Sequence, residues 1–160
     1  MADEKLTTCL WFDGQAEEAA NFYLSIFKNG ALGGVTRVQE ASQGELGAVL
    51  TVEFEVNGQK FLGLNGGPQF TFNEAISFMV HCDDQDEVDY YWDRLVEGGQ
   101  EAPCGWLKDK FGVSWQVVPK VLYELVGDSD PEKAKRATEA MLATHGKLDI
   151  AALKKAHAGG

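Results

Sequence analysis

Ser77 to Val96 reads SFMVHCDDQDEVDYYWDRLV: an apolar strand, an acidic turn and an amphipathic helix in one run. The same order of events occurs earlier, from Thr8 to Phe27, as TCLWFDGQAEEAANFYLSIF. In the later copy Val88, Tyr91, Trp92, Leu95 and Val96 fall at i, i+3, i+4, i+7 and i+8, the buried stripe of one helix. In the earlier copy Ala19, Phe22, Tyr23, Ile26 and Phe27 do the same, 69 places before (Val88 against Ala19). Two unrelated amphipathic helices would agree in the helix alone. Here strand, turn and helix recur together, which marks an internal repeat.

Each copy extends into further strands. Before the first helix, Lys5 to Phe12 alternates as a strand, and Asp13-Gly14 ends it. Asp13 is placed to cap a helix that starts near Ala16 and stops at Asn29-Gly30. Val35 to Gln39 reads as a second strand, and the small, polar Ala41 to Gly44 as a mobile loop. Val49 to Val56 alternates apolar Val52, Phe54 and Val56 with Thr51, Glu53 and Glu55. Asn57-Gly58 then supplies a type I′ turn, and Gln59 to Asn65 returns as the partner strand. Gly66-Gly67-Pro68 closes this module.

The second module opens with the strand Ile76 to Cys82. Asp84 and Glu87 have capping-box spacing, and Gly98-Gly99 ends the helix. Cys104 to Lys108 and Val113 to Pro119 read as strands joined through Asp109 to Gly112. Beyond them, Asp130-Pro131 starts a helix carrying Ala134, Ala137, Met141 and Leu142. Asp149 starts a shorter one with Ile150, Leu153 and Ala156. These helices are too sparsely apolar to be core on both sides, and are expected across a sheet edge or a partner subunit. The predicted fold is α+β: two βαβββ modules forming a cupped mixed sheet, with a C-terminal helical extension. The expected domain is 1–120 (modules 1–68 and 69–120), followed by the extension 121–160.

Composition limits the function classes. The chain has 160 residues, 44% hydrophobic and 11% aromatic, enough for a packed interior and against disorder. A formal charge of −11 disfavours nonspecific binding to nucleic-acid phosphates, so nucleic acid is not an expected partner. Cys9, Cys82 and Cys104 lie far apart without a CxxC, as reduced intracellular thiols do. No apolar run is long enough to span a bilayer, and MADEK is not a signal peptide, so no membrane is expected and the location reads as cytoplasmic.

Three stretches carry a resemblance: LWFDGQAEEAANFY from Leu10, CDDQDEVDYYWDRL from Cys82, and CGWLKDKFGVSWQVVP from Cys104 to Pro119. Together they resemble the PhnB-like branch of the glyoxalase, bleomycin-resistance and dioxygenase (vicinal oxygen chelate) superfamily. The tail AMLATHGKLDIAALKKA, from Ala140, is similar to this branch too. Members often carry the name 3-demethylubiquinone-9 3-methyltransferase. The resemblance implies a homodimer and a small-molecule ligand. Whether the modules pair within one chain or across two is left open.

In metal-using members of that superfamily, the first strand of a module gives a His or Gln and its last strand a Glu. Counting back from the helices puts the first-strand positions at Thr8 and Ser77; the late-strand positions fall at about Asn65 and at Gln116. Hydroxyls and neutral amides hold a divalent ion poorly, so no metal is expected. Strand parity then lines the cup with Thr8, Leu10 and Phe12, with Ser77, Met79 and His81, and with Asn65, Ser114 and Gln116.

The ligand-binding set is therefore Thr8, Phe12, Asn65, Ser77, Met79, His81, Trp106 and Gln116. His81 would be a general base or anion contact, against the blander role of a surface residue. Trp106 is the preferred aromatic contact, since Trp92 and Trp115 read as core. The three cysteines read as inert. Lys108-Asp109-Lys110 reads as a solvated hairpin tip, and Glu53 and Glu55 as solvent-facing. No glycine-rich turn follows a first strand in a βαβ order, so S-adenosylmethionine is not an expected cofactor, and no other is implied. The leading function is a small-molecule-binding protein that has lost the superfamily metal. The alternative is an enzyme (lyase, transferase or dioxygenase type) acting on an oxygenated small molecule. No catalytic residue is assigned.

Overall fold

The computed structural model describes residues 5–160 and divides into two compact units, one ending at Phe72 and one running from Asn73 to Gly160. The first unit holds β1 (Thr8–Phe12), α1 (Ala16–Ile26), β2 (Gly30–Arg37), β3 (Val49–Val56) and β4 (Gln59–Asn65). Its sheet order is β1-β4-β3-β2, with β1 parallel to β4 and the other pairs antiparallel. The hairpin between β3 and β4 follows the sequence reading: Asn57 and Gly58 take φ of 49° and 82°, as a type I′ turn requires. Ala41 to Gln43 is a 3-10 turn rather than an irregular loop. The helix buries Ala16, Ala19, Ala20, Tyr23 and Ile26. Tyr23 stacks on Phe54, and Phe54 on Phe61, at ring separations of 6.1 and 5.1 Å.

The second unit repeats the pattern with β5 (Ser77–Cys82), α2 (Gln85–Val96), β6 (Gln100–Glu101), β7 (Trp106–Lys108) and β8 (Ser114–Pro119). Its order is β5-β8-β7-β6, again with one parallel pair, β5 to β8. The capping box forms: Asp84 Oδ1 accepts the Glu87 N–H at 2.9 Å, and Glu87 Oε1 accepts the Asp83 N–H at 2.8 Å. One strand is new and one starts later than the sequence reading by two residues. The two-residue strand β6 has no apolar alternation to announce it. Cys104 belongs to a 3-10 turn (Pro103–Gly105) at φ 63°, so the strand begins only at Trp106.

Three helices follow: α3 (Val121–Val126), α4 (Pro131–Leu142) and α5 (Ile150–Ala158). The short α3 was not expected. Asp130 and Asp149 cap α4 and α5 through the N–H groups of Glu132 and Ala152. The extension is core within this unit: Val118, Leu122, Leu125, Ala137, Leu148 and Leu153 form one buried cluster. Among the described residues no helix is long and apolar enough to cross a membrane.

Candidate functional site

In the second unit, residues paired across the ladders present their side chains to the same face. Ser77 pairs with Ser114, Met79 with Gln116, and Gln116 with Trp106 across the neighbouring ladder. The opposite parity (Val80, Cys82, Trp115, Val117 and Leu107) is buried on the side of α2, whose Val88, Trp92 and Leu95 are buried too. Ser77, Met79, His81, Trp106 and Gln116 therefore share the face turned away from α2. Gln116 Nε2 donates to Ser77 Oγ at 2.9 Å, tying the two strands through neutral groups. Met79 stays 45% exposed. The exposed His81 lies 5.9 Å from the Tyr123 ring. Lys108, on the same parity as Gln116, pairs with Glu74. Hydrogen bonding to Lys108, then to its own backbone, holds the Glu74 carboxyl below the usual range.

The first unit departs from expectation. Thr8 pairs with Phe61, Leu10 with Gly63 and Phe12 with Asn65, and this parity faces α1. A Cβ added at Gly63 would lie 3.1 Å from the Ala16 Cβ. Asn65 Oδ1 accepts the Ala16 N–H at 2.9 Å, and its Nδ2 donates to the Val49 carbonyl at 3.0 Å. That bond replaces the cap expected from Asp13; no side chain from the Gln15 cap position contributes. Phe12 is buried and meets Phe72 edge-on at 5.4 Å. Thr8, Phe12 and Asn65 thus belong to the sheet-to-helix packing, not to the face that matches Ser77 and Gln116.

The cause is one residue. The helices repeat at 69 (Gln85 against Ala16), whereas the strand ends repeat at 70 (Cys82 against Phe12). Asp13-Gly14-Gln15 joins β1 to α1 where Asp83-Asp84 joins β5 to α2, and Gly14 absorbs the extra residue at φ 84°. A one-residue slip exchanges the two faces of a strand. The first-unit counterparts of Ser77, Met79 and His81 are Thr7, Cys9 and Trp11. Comparing strand ends as well as helix stripes would have found them.

The face turned away from α1 carries Cys9 and Trp11, with Thr51, Glu53 and Glu55 on β3 and Lys60, Leu62 and Leu64 on β4. Trp11 Nε1 donates to the Gly67 carbonyl at 2.9 Å. A cavity of about 570 Å³ opens there, lined by Thr7, Gly33, Glu53, Glu55, Lys60 and Leu62 among others.

Two further groups clarify the chemistry. Burial, then the charges of Glu87, Asp83 and Asp84, push the Cys82 thiol up to about 12; burial raises Cys9 as well. Neither is an activated thiol. Asp109, expected at a solvated tip, is only 2% exposed. Its Oδ1 accepts the N–H groups of Phe111 and Val113, and its Oδ2 accepts Trp115 Nε1 at 2.9 Å. Closing the turn between β7 and β8 requires those donors to be satisfied inside, and the carboxylate does this.

Residues 4–118 match the family model described as 3-demethylubiquinone-9 3-methyltransferase. Among solved structures, the chain is similar to a PhnB protein from Bacillus cereus that bears the same methyltransferase name. The two share 37% identity at a TM-score of 0.65, over 72% of this chain and 99% of that one. Protein PA1353 from Pseudomonas aeruginosa shares the fold at 18% identity and a TM-score of 0.57, over 73% of this chain and 98% of its own. The fosfomycin resistance protein FosX from Listeria monocytogenes does so at 18% and 0.52, over 78% and 97%. No curated protein matches the chain. The family match stops at Val118, so α3 to α5 lie beyond it. With the repeated βαβββ order and this match in hand, the chain belongs to the 3-demethylubiquinone-9 3-methyltransferase family, the PhnB-like branch of the glyoxalase-fold superfamily.

Proposed function

We propose that this chain binds an organic small molecule on the sheet faces turned away from α1 and α2, without the divalent metal of its superfamily. The observation that carries the reading is the bond from Gln116 Nε2 to Ser77 Oγ. At the late-strand and first-strand positions of the second unit stand an amide and a hydroxyl, bonded to each other. Such a donor set does not fit a divalent ion, which needs anionic or imidazole ligands to offset its lost hydration. It does fit hydrogen bonding to a neutral polar group of a ligand, with Trp106 and Met79 as apolar contacts on the same face. His81 stands on this face as its one imidazole. Thr7, Cys9 and Trp11 take the place first given to Thr8, Phe12 and Asn65. The proposed setting is a cytoplasmic homodimer, checked by sedimentation and by localising a tagged chain.

The test is ligand-observed NMR against a library of small oxygenated aromatics, comparing wild type with Gln116→Ala and Trp106→Ala. Binding that falls about tenfold in both variants, with melting temperature unchanged, supports the reading. Hits unaffected by either variant overturn the placement. Stoichiometric divalent metal in protein purified without chelator, lost on Gln116→Ala, overturns the metal-free part.

One observation, the family's name, favours a second reading as a methyltransferase. Both sheets are mixed and neither is the doubly wound parallel sheet that cradles a cofactor at a glycine-rich turn. Saturable binding of S-adenosylmethionine by calorimetry would establish that reading over the first.

A further inference from the structure

The cavity on the first unit's sheet has a charge and a floor that the sequence reading passed over. In one row across the sheet Ala31 pairs with Glu55, and Glu55 with Lys60; in the next, Glu53 pairs with Leu62. Opposite Glu53 the pairing of β2 breaks between Leu32 and Val35, and the residues in the break are Gly33 and Gly34. A Cβ on Gly33 would sit 3.1 Å from the Glu53 Cβ; one on Gly34 would sit 3.2 Å from Glu53 Oε2. Neither glycine has positive φ, so turn geometry does not explain the pair. Their effect is to leave the space around the Glu53 carboxylate clear.

We propose that this cavity binds an organic ammonium ion, with the Glu53 carboxylate as its anchor. Two carboxylates, Glu53 and Glu55, line it against one ammonium, Lys60. Lys60 stands directly across from Glu55, whereas the residue across from Glu53 is the apolar Leu62. Among the described residues neither glutamate takes part in an ion pair. A chain of formal charge −11 also draws cations and repels anions at encounter. Ala31 and Leu62 give the walls an apolar character that bare ammonium or an alkali ion would not use. The fitting ligand is an amine on a short hydrocarbon body, and about 570 Å³ lies in the range of small-molecule sites. The inference rests on the ligand-binding reading and adds the charge of the ligand.

The test titrates ¹⁵N-labelled full chain with hexylamine, hexanol and hexanoate at pH 7 and low salt. Hexylamine is expected to shift the amides of Gly33, Gly34 and Glu53 saturably, while the alcohol and the acid do not. Glu53→Gln, at an exposed side chain, should weaken hexylamine by about tenfold with the rest of the spectrum unchanged. Gly34→Ala should weaken it as well, by crowding the carboxylate from the other side. Equal shifts from hexanol, or unchanged affinity in Glu53→Gln, overturn the proposal. If hexylamine fails while library compounds still bind in a Gln116-dependent way, the ammonium inference falls and the binding reading stands. If neither class binds, both fall.

Discussion

Asn65 holds the first turn of α1: its side-chain oxygen accepts the Ala16 N–H at 2.9 Å from 49 residues away in sequence. The same amide donates to the Val49 carbonyl at 3.0 Å, so both of its ends are committed to the fold. Asn65→Ala strands an N–H at a helix start and a strand carbonyl, costing about 1–3 kcal/mol. Urea unfolding should show that loss, with ligand affinity of the folded protein unaltered. A variant as stable as wild type that binds ligand poorly would return Asn65 to the binding face.

The strand parity of β1 has its own chemical probe. Cys9 is exposed on the face turned away from α1, while Cys82 is buried on the face toward α2. Maleimide at pH 7.5 should modify Cys9 in the native protein and Cys82 only after unfolding, read by peptide mass spectrometry. Burial raises the Cys9 thiol, so its rate should lie below that of a free thiol but well above that of Cys82. Protection of Cys9 equal to that of Cys82 would restore Thr8, Leu10 and Phe12 to the other face.

What the sequence disclosed depended on how local each signal is. The hairpin at Asn57-Gly58 and the capping box at Asp84 are encoded within a few residues, and both form as read. The second unit's face was legible because only two residues, Asp83 and Asp84, separate its strand from its helix. The first unit's face was not, because helix periodicity is blind to the residue that Gly14 adds ahead of the helix. Asp109 was misread for a different reason. Flanked by Lys108 and Lys110, it looks solvated, and only the closed turn between β7 and β8 brings three donors onto its carboxylate.

Asp109→Asn keeps the size of that side chain and changes what it can accept. The amide offers one acceptor oxygen where three N–H groups converge, and its NH₂ must face at least one of them. Hydrogen bonds to a charged acceptor are worth about 1.5–3 kcal/mol each, so a loss of roughly 2–3 kcal/mol is expected in urea unfolding. Trp115 emission should change in the native baseline, because its indole N–H loses its partner. An unchanged midpoint and spectrum would show the turn closing without the carboxylate.

Lys147 joins the C-terminal extension to α2, 3.2 Å from Asp89 and 3.0 Å from Asp93. Burial pulls the Lys147 ammonium down, but hydrogen bonds to Asp93 and Asp89 outweigh it and its pKa is raised on balance. Asp89 is lowered, first by Gln85 and then by Lys147. A raised lysine stabilises fully below its unfolded value of about 10.4, and that contribution goes as pH climbs through the folded value. A lowered aspartate stabilises above its unfolded value of about 3.9, and that contribution goes as pH falls through the folded value. Lys147→Met should therefore melt roughly 1–3 °C below wild type at pH 7, a modest gap because these groups are partly solvated. The two melting curves should converge as pH falls through the lowered Asp89 value and again as it climbs through the raised Lys147 value, the acid arm reporting Asp89 and the alkaline arm Lys147. A gap that stays constant from pH 2 to pH 7 would mean that packing of the lysine stem, and not its charge, joins the extension to the helix.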